Sequence, residues 1–200
     1  QCHNMLNSQA MCVNVFLPLR RHPYILDNFL SRYLTDLERV ISLDFEYIGP
    51  RNYFRERGGR GQNRTSSDVA VLWVNQEKKE CLLLLEFKFT EPNFGYCSQK
   101  DNHSPELCMD SHRVISSPRT ECYRAKRQRT YWDIILSDNG PLHHELLTTE
   151  SFCPFLYDFY QLIRNQLLAH CIQSDPSCFL TRVDFGVIYH RDNQALLEMK

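Results

Sequence analysis

Two adjoining apolar segments of the sequence carry the residues best suited to chemistry. Asp68 opens the first, in Ser67-Asp68-Val69-Ala70-Val71, and Glu86 and Lys88 close the second, in Leu84-Leu85-Glu86-Phe87-Lys88-Phe89. In an extended chain, side chains two residues apart leave the same face about 6–7 Å apart, so Glu86 and Lys88 are neighbours. The apolar run Cys81 to Leu85 precedes them. Their face therefore adjoins a hydrophobic interior, where ionised groups are costly unless paired or bound to metal. The polar link Asn75 to Glu80 lets the segments fold back as a hairpin, which brings Asp68 beside Glu86. Two carboxylates held close repel unless a divalent cation neutralises them, and Mg²⁺ suits one or two carboxylates plus phosphate oxygens.

Each group then has an expected task. Asp68, Glu86 and the Phe87 carbonyl hold Mg²⁺ or Mn²⁺, which polarises a phosphodiester. Lys88 orients or deprotonates the attacking water and adds positive charge in the transition state. The bland alternative is an edge-facing Glu86–Lys88 pair with Asp68 in a turn.

The net charge of −1 argues for no polyanionic partner, but its distribution does. Arg51, Arg55, Arg57, Arg60 and Arg64 face only Glu56 in their stretch, a local +4. Arg113, Arg119, Arg124, Lys126, Arg127 and Arg129 face only Glu121, a local +5. These segments can contact nucleic-acid phosphates, with Arg55, Arg57, Arg60, Arg64, Arg124 and Arg127 the main candidates; solvated basic surface is the alternative. Gly58-Gly59-Arg60-Gly61 reads as a flexible arm able to close over DNA.

The elements that must position these groups read as α/β. Pro23 to Ser42 repeats apolar residues at helical spacing, and Leu43 to Ile48 is a short strand. Residues 51–67 read as a mobile basic loop. Val69 to Val74 and Cys81 to Phe89 are the hairpin strands, the second apolar on both faces like a central strand. Residues 92–117 read as irregular, Pro118 to Leu136 as a helix, Phe155 to Cys171 as a second helix, and Arg182 to His190 as a last strand. A parallel return through the 155–171 helix gives a mixed central sheet flanked by helices. The whole is one domain: a segment and helix over 1–42, the core hairpin over 43–91, an insertion over 92–144, then the crossover helix and last strand over 145–200.

An Asp-led strand, a short connection and a strand ending in Glu-x-Lys resemble the PD-(D/E)xK nuclease superfamily, with Ser67 where the namesake proline would stand. Its core of helix, three strands, helix and strand matches the order read above from about Pro23 to His190. Within it, Ser8-Gln9-Ala10-Met11-Cys12-Val13-Asn14 and Glu86-Phe87-Lys88-Phe89-Thr90-Glu91-Pro92 resemble a bacterial restriction-endonuclease-like family. The resemblance implies a metal-dependent endonuclease acting on DNA, and a glutamine from the crossover helix at the site. Gln166, in the apolar stripe of that helix, is the residue expected there, with Gln161 as its substitute; a bond to neighbouring backbone would equally satisfy a buried Gln166. His170 reads as a core histidine.

Nine cysteines without a signal peptide suit a reducing compartment, so a cytoplasmic place and free thiols are expected. Cys97, Cys108, His112 and Cys122, with Cys153 further on, could instead fix the insertion around a structural Zn²⁺ or an iron–sulfur cluster. No apolar run reaches the roughly 18 residues of a membrane span. Cleavage of both DNA strands would call for a homodimer. The rival to the nuclease is a catalytically inactive module of the same fold that binds DNA or a protein. An acid/base pair acting on sugars would leave Lys88 and the arginines without a partner.

Overall fold

The computed structural model describes residues 8–58, 64–98, 105–143, 145, 147 and 152–198. Helices α1 (Ser8–Arg21) and α2 (Pro23–Leu30) lead into strands β1 (Leu37–Tyr47), β2 (Ser67–Asn75) and β3 (Glu80–Lys88). The insertion holds a 3₁₀ turn (Pro105–Met109) and the short helices α3 (Ser111–Ser116), α4 (Pro118–Glu121), α5 (Tyr123–Lys126) and α6 (Tyr131–Ile135). Helix α7 (Tyr160–Gln173), strand β4 (Arg182–Tyr189) and helix α8 (Gln194–Leu197) complete the described chain. The strands form one sheet in the order β1-β2-β3-β4; the first three pair antiparallel and β4 joins β3 in parallel. The expected mixed α/β sheet with helices on both sides is therefore present.

Strand alternation sorts side chains between two cores. Val69, Val71 and Trp73 of β2, with Cys81, Leu83, Leu85 and Phe87 of β3, pack under Phe16, Leu26 and Leu30 of α1 and α2. Ala70, Leu82 and Leu84 face the other way, toward Ile163, Leu167, Leu168 and Ile172 of α7 and the aromatic residues of the insertion. Asp68 shares its phase with Ala70, and Glu86 and Lys88 share theirs with Leu84, so the sheet delivers all three to the α7 side.

Several boundaries differ from the sequence reading. The helix expected over 23–42 stops at Leu30, and β1 begins at Leu37. Irregular register between Leu37 and Arg39, and again between Val40 and Ser42, breaks the two-residue alternation. Buried Val40 and Leu43 thus stand three apart, as they would in a helix. Pairing along β2 and the bond from the Val40 N–H to Asp27 Oδ1 (2.5 Å) hold the strand form. The helix expected over 118–136 is three pieces, broken where Cys122 is extended and where Gln128 adopts φ +65°. The irregular stretch 92–117 contains α3, whose N-terminus is capped by Asp110 accepting from the Arg113 N–H at 3.0 Å. The crossover helix starts at Tyr160 rather than Phe155, whose ring sits in the core against Tyr131 and Trp132.

The described part of the segment 51–67 is packed against the core. Phe54 is buried in the α7-side core, and the buried Glu56 accepts from Arg164 Nη2 (2.7 Å), the Thr65 N–H (2.6 Å), Thr65 Oγ1 (2.8 Å) and Tyr131 Oη. Among the described residues, no helix is long and apolar enough to cross a membrane.

Candidate active site

The β2–β3 register sets the site. Val69 pairs with Leu85, so Asp68 and Glu86 follow at the same end of the two strands. The Phe87 N–H donates to Asp68 Oδ2 at 2.7 Å and draws the carboxylate against β3. Glu86 and Lys88 are buried, with Glu86 Oε1 2.9 Å from Lys88 Nζ. One face of α7 completes the arrangement from residues four apart, one turn of helix. Asn165 Nδ2 donates to Glu86 Oε2 at 2.7 Å, and Lys88 Nζ donates to Gln161 Oε1 at 2.7 Å. The Phe94 ring lies 5.6 Å from Lys88 Nζ. The connection after β3 fixes the start of α7, since the Phe94 N–H donates to the Asp158 carbonyl and the Gln161 N–H to the Phe94 carbonyl, each at 2.8 Å.

Electrostatics follow from this crowding. Burial, then the charge of Glu86, pushes the Asp68 carboxyl up, against the pull of the Phe87 N–H and Lys88. Burial also raises Glu86, although Lys88 and Asn165 oppose it. Glu46, near the end of β1, adds negative charge to both. It adopts a left-handed φ of +50° and accepts from Gln9 Nε2 at 2.8 Å and Ser66 Oγ at 3.2 Å. Lys88 alone does not offset the burial and mutual repulsion that raise Asp68 and Glu86.

The donor set suits a hard divalent cation: two carboxylates and the Phe87 carbonyl, all oxygen. Among the described residues no three His, Cys, Asp or Glu side chains converge on a single-ion site. A cation at Asp68 and Glu86 would therefore complete its shell from water or phosphate, as Mg²⁺ ordinarily does.

The structure thus brings Asp68, Glu86 and Lys88 together and corrects the glutamine. Gln166 is half-buried one residue past Asn165, about 100° around the helix, and Gln161 reaches Lys88 instead. Asn165 and Glu46 were missed by the sequence reading. A polar residue at i+4 from Gln161 was the only signal for the first, and the helix expected through β1 hid the second.

The basic residues divide. Arg51 is 3.2 Å from Asp175 and its backbone carbonyl accepts from Arg64 at 3.4 Å. Arg57 is exposed, and Arg60 lies outside the described residues, as does most of the glycine-rich arm. Arg55 joins Arg119, Lys126 and Arg129 around an open pocket of about 400 Å³ that Asp133, 3.4 Å from Arg119, also lines, so the two basic segments meet there. Arg127 stacks 4.5 Å from the Tyr123 ring, while Arg124 donates to Ser98 Oγ at 3.0 Å and turns toward the cysteines. His112 is exposed, and the partly exposed His170 is not a buried core histidine.

A family model described as Restriction Endonuclease associating with ARP matches residues 1–200. Neither the search of curated proteins nor that of solved structures gives a match.

Proposed function

The chain belongs to the family Restriction Endonuclease associating with ARP, and from that premise we propose that it is a metal-dependent DNA endonuclease of PD-(D/E)xK type. The observation that carries this reading is the buried Glu86–Lys88 pair at the β3 end, with Asp68 held one hydrogen bond away on the Phe87 N–H. A stability role alone would not need it, because burying an ion pair seldom outweighs its desolvation.

The residues divide the work. Asp68, Glu86 and the Phe87 carbonyl would hold Mg²⁺ or Mn²⁺. When bound, such an ion supplies positive charge for the phosphate oxygens and lowers the pKa of a water ligand. Lys88 would orient the attacking water and offset charge developing on the phosphorane. Gln161 fixes the lysine head, and Asn165 fixes the Glu86 carboxylate, so both groups are set before substrate arrives. The pocket at Arg55, Arg119, Lys126 and Arg129 gives the phosphate backbone a place to bind.

Plasmid incubated with Mg²⁺ or Mn²⁺ should be cut by the wild-type chain and left intact in chelator or by Glu86→Gln. Cutting that persists in chelator and in the variant would contradict the reading. A second reading, a DNA- or protein-binding module without catalysis, draws on one observation: both Glu86 oxygens already have protein partners, Lys88 and Asn165. Calorimetric titration with Mn²⁺ separates the two. The nuclease binds the ion with an affinity that Asp68→Asn abolishes, and the module shows no such binding.

A further inference from the structure

The insertion between β3 and α7 closes around a cavity of about 230 Å³. Four cysteines line it: Cys97 from the chain after β3, Cys108 from the 3₁₀ turn, Cys122 from the break between α4 and α5, and Cys153 from the approach to α7. Two main-chain hydrogen bonds knit these segments together. The Cys153 N–H donates to the Cys108 carbonyl at 2.7 Å, and the Cys97 N–H to the Phe155 carbonyl at 2.8 Å. The thiols also feel one another, Cys108 through a hydrogen bond with Cys153 and Cys122 through its charge interactions with Cys97 and Cys153. The expected quartet is thereby altered, with Cys153 in the place of the exposed His112.

The cavity is partly open, and its size, with four thiols on its wall, leaves room for an occupant. A zinc ion is a poor one. Four Zn–S bonds of about 2.3 Å require the sulfurs to converge on one point, and among the described residues no three such ligands do so. An iron–sulfur cluster asks for something else, because its cysteine thiolates bind irons spread over a polyatomic body and stand around a space. A second observation agrees. Arg124 and Trp132, both lining the cavity, turn their side-chain donors toward the thiols, Arg124 toward Cys97 and Trp132 toward Cys122. Ionised sulfur accepts such bonds more strongly than a thiol does, and hydrogen bonds to cluster sulfurs are a standard part of such sites.

We propose that Cys97, Cys108, Cys122 and Cys153 hold an iron–sulfur cluster that ties the insertion to the start of α7. Each thiol gives up its proton on ligation. Tyr160, also on the cavity wall, directly precedes the Gln161 that holds Lys88, so the cluster braces the helix end that carries part of the site. The inference stands apart from the nuclease reading, since the cluster would be present whether or not DNA is cut.

The test is the iron and acid-labile sulfide content of the full chain, purified without oxygen and then reconstituted with ferric iron, sulfide and a thiol reductant. The result expected is equal iron and sulfide in the ratio of a [2Fe–2S] or [4Fe–4S] cluster, with broad visible absorption that reduction bleaches. Alanine at any of the four cysteines should lower bound iron several-fold, whereas Cys171→Ala and Cys178→Ala should not. Wild-type protein without iron after reconstitution, stoichiometric zinc without sulfide, or undiminished iron in all four variants would overturn the proposal. The wild-type measurement decides even where a variant fails to fold.

Discussion

Lys88 shows what a charge costs in this interior. Its ammonium is held by Glu86 and Gln161 in a place water scarcely reaches. Lys88→Met leaves the Glu86 carboxylate buried without its cation and should cost about 3–5 kcal/mol in denaturant unfolding. Adding Glu86→Gln should recover much of that loss; equal damage in the single and double variants would show that the pair is not coupled. Glu56 gives the pH dependence. Burial raises its carboxyl, but Arg164, Tyr131 and Thr65 together outweigh burial and hold it below the ordinary carboxylate value. The stability it contributes is complete above the unfolded value of about 4.3, and it is lost as pH falls through the lowered folded value. Wild-type stability should therefore drop more steeply on acidification than that of Glu56→Gln, which starts lower because Arg164 loses its partner. Parallel acid profiles would contradict the network. Asp68, Glu86 and Lys88 were legible in the sequence because strand alternation and an apolar run fix their face. Asn165 was not, because one asparagine among helix residues carries no mark of its partner.

At the scale of elements, legibility followed how regularly each segment obeys its period. β2 and β3 are uninterrupted, so their ends were readable to within two residues. β1 misled because its irregular register spaces Val40 and Leu43 as a helix would. The three helical pieces between Pro118 and Ile135 share apolar content with one long helix, and only the backbone at Cys122 and Gln128 separates them. Helix α7 carries the element-scale prediction. Its site-facing residues are Gln161 and Asn165, so Gln161→Ala and Asn165→Ala should each slow DNA cleavage about 10-fold or more, the loss expected when one charge-assisted hydrogen bond of roughly 1.5–3 kcal/mol is removed. Gln166→Ala should cleave near the wild-type rate. If Gln166→Ala is instead the damaging variant, the helix is rotated from the position described.

Across the whole molecule, charge is unevenly spread. The net charge is near zero, yet Arg55, Arg119, Lys126 and Arg129 share one pocket. Sequence showed the two basic segments but not that they meet, because contact between residues 55 and 129 depends on how the insertion folds back. If this pocket holds phosphates, replacing all four with Ala should flatten the slope of log K against log salt by about 3–4, near 0.9 for each contact. Arg57→Ala should change it by no more than about 1; a slope lost with Arg57 and unchanged by the pocket variants would move the DNA surface to the 57–64 segment. The central claim, that Lys88 acts on DNA held beside Asp68 and Glu86, is tested most directly by single-turnover cleavage of a DNA duplex with saturating Mg²⁺. Wild-type and Lys88→Ala proteins would be compared at equal DNA occupancy, with circular dichroism confirming that both are folded. The folded variant should bind DNA normally and cut it about 10²-fold more slowly or worse; cutting at the wild-type rate would show that Lys88 takes no part in the reaction.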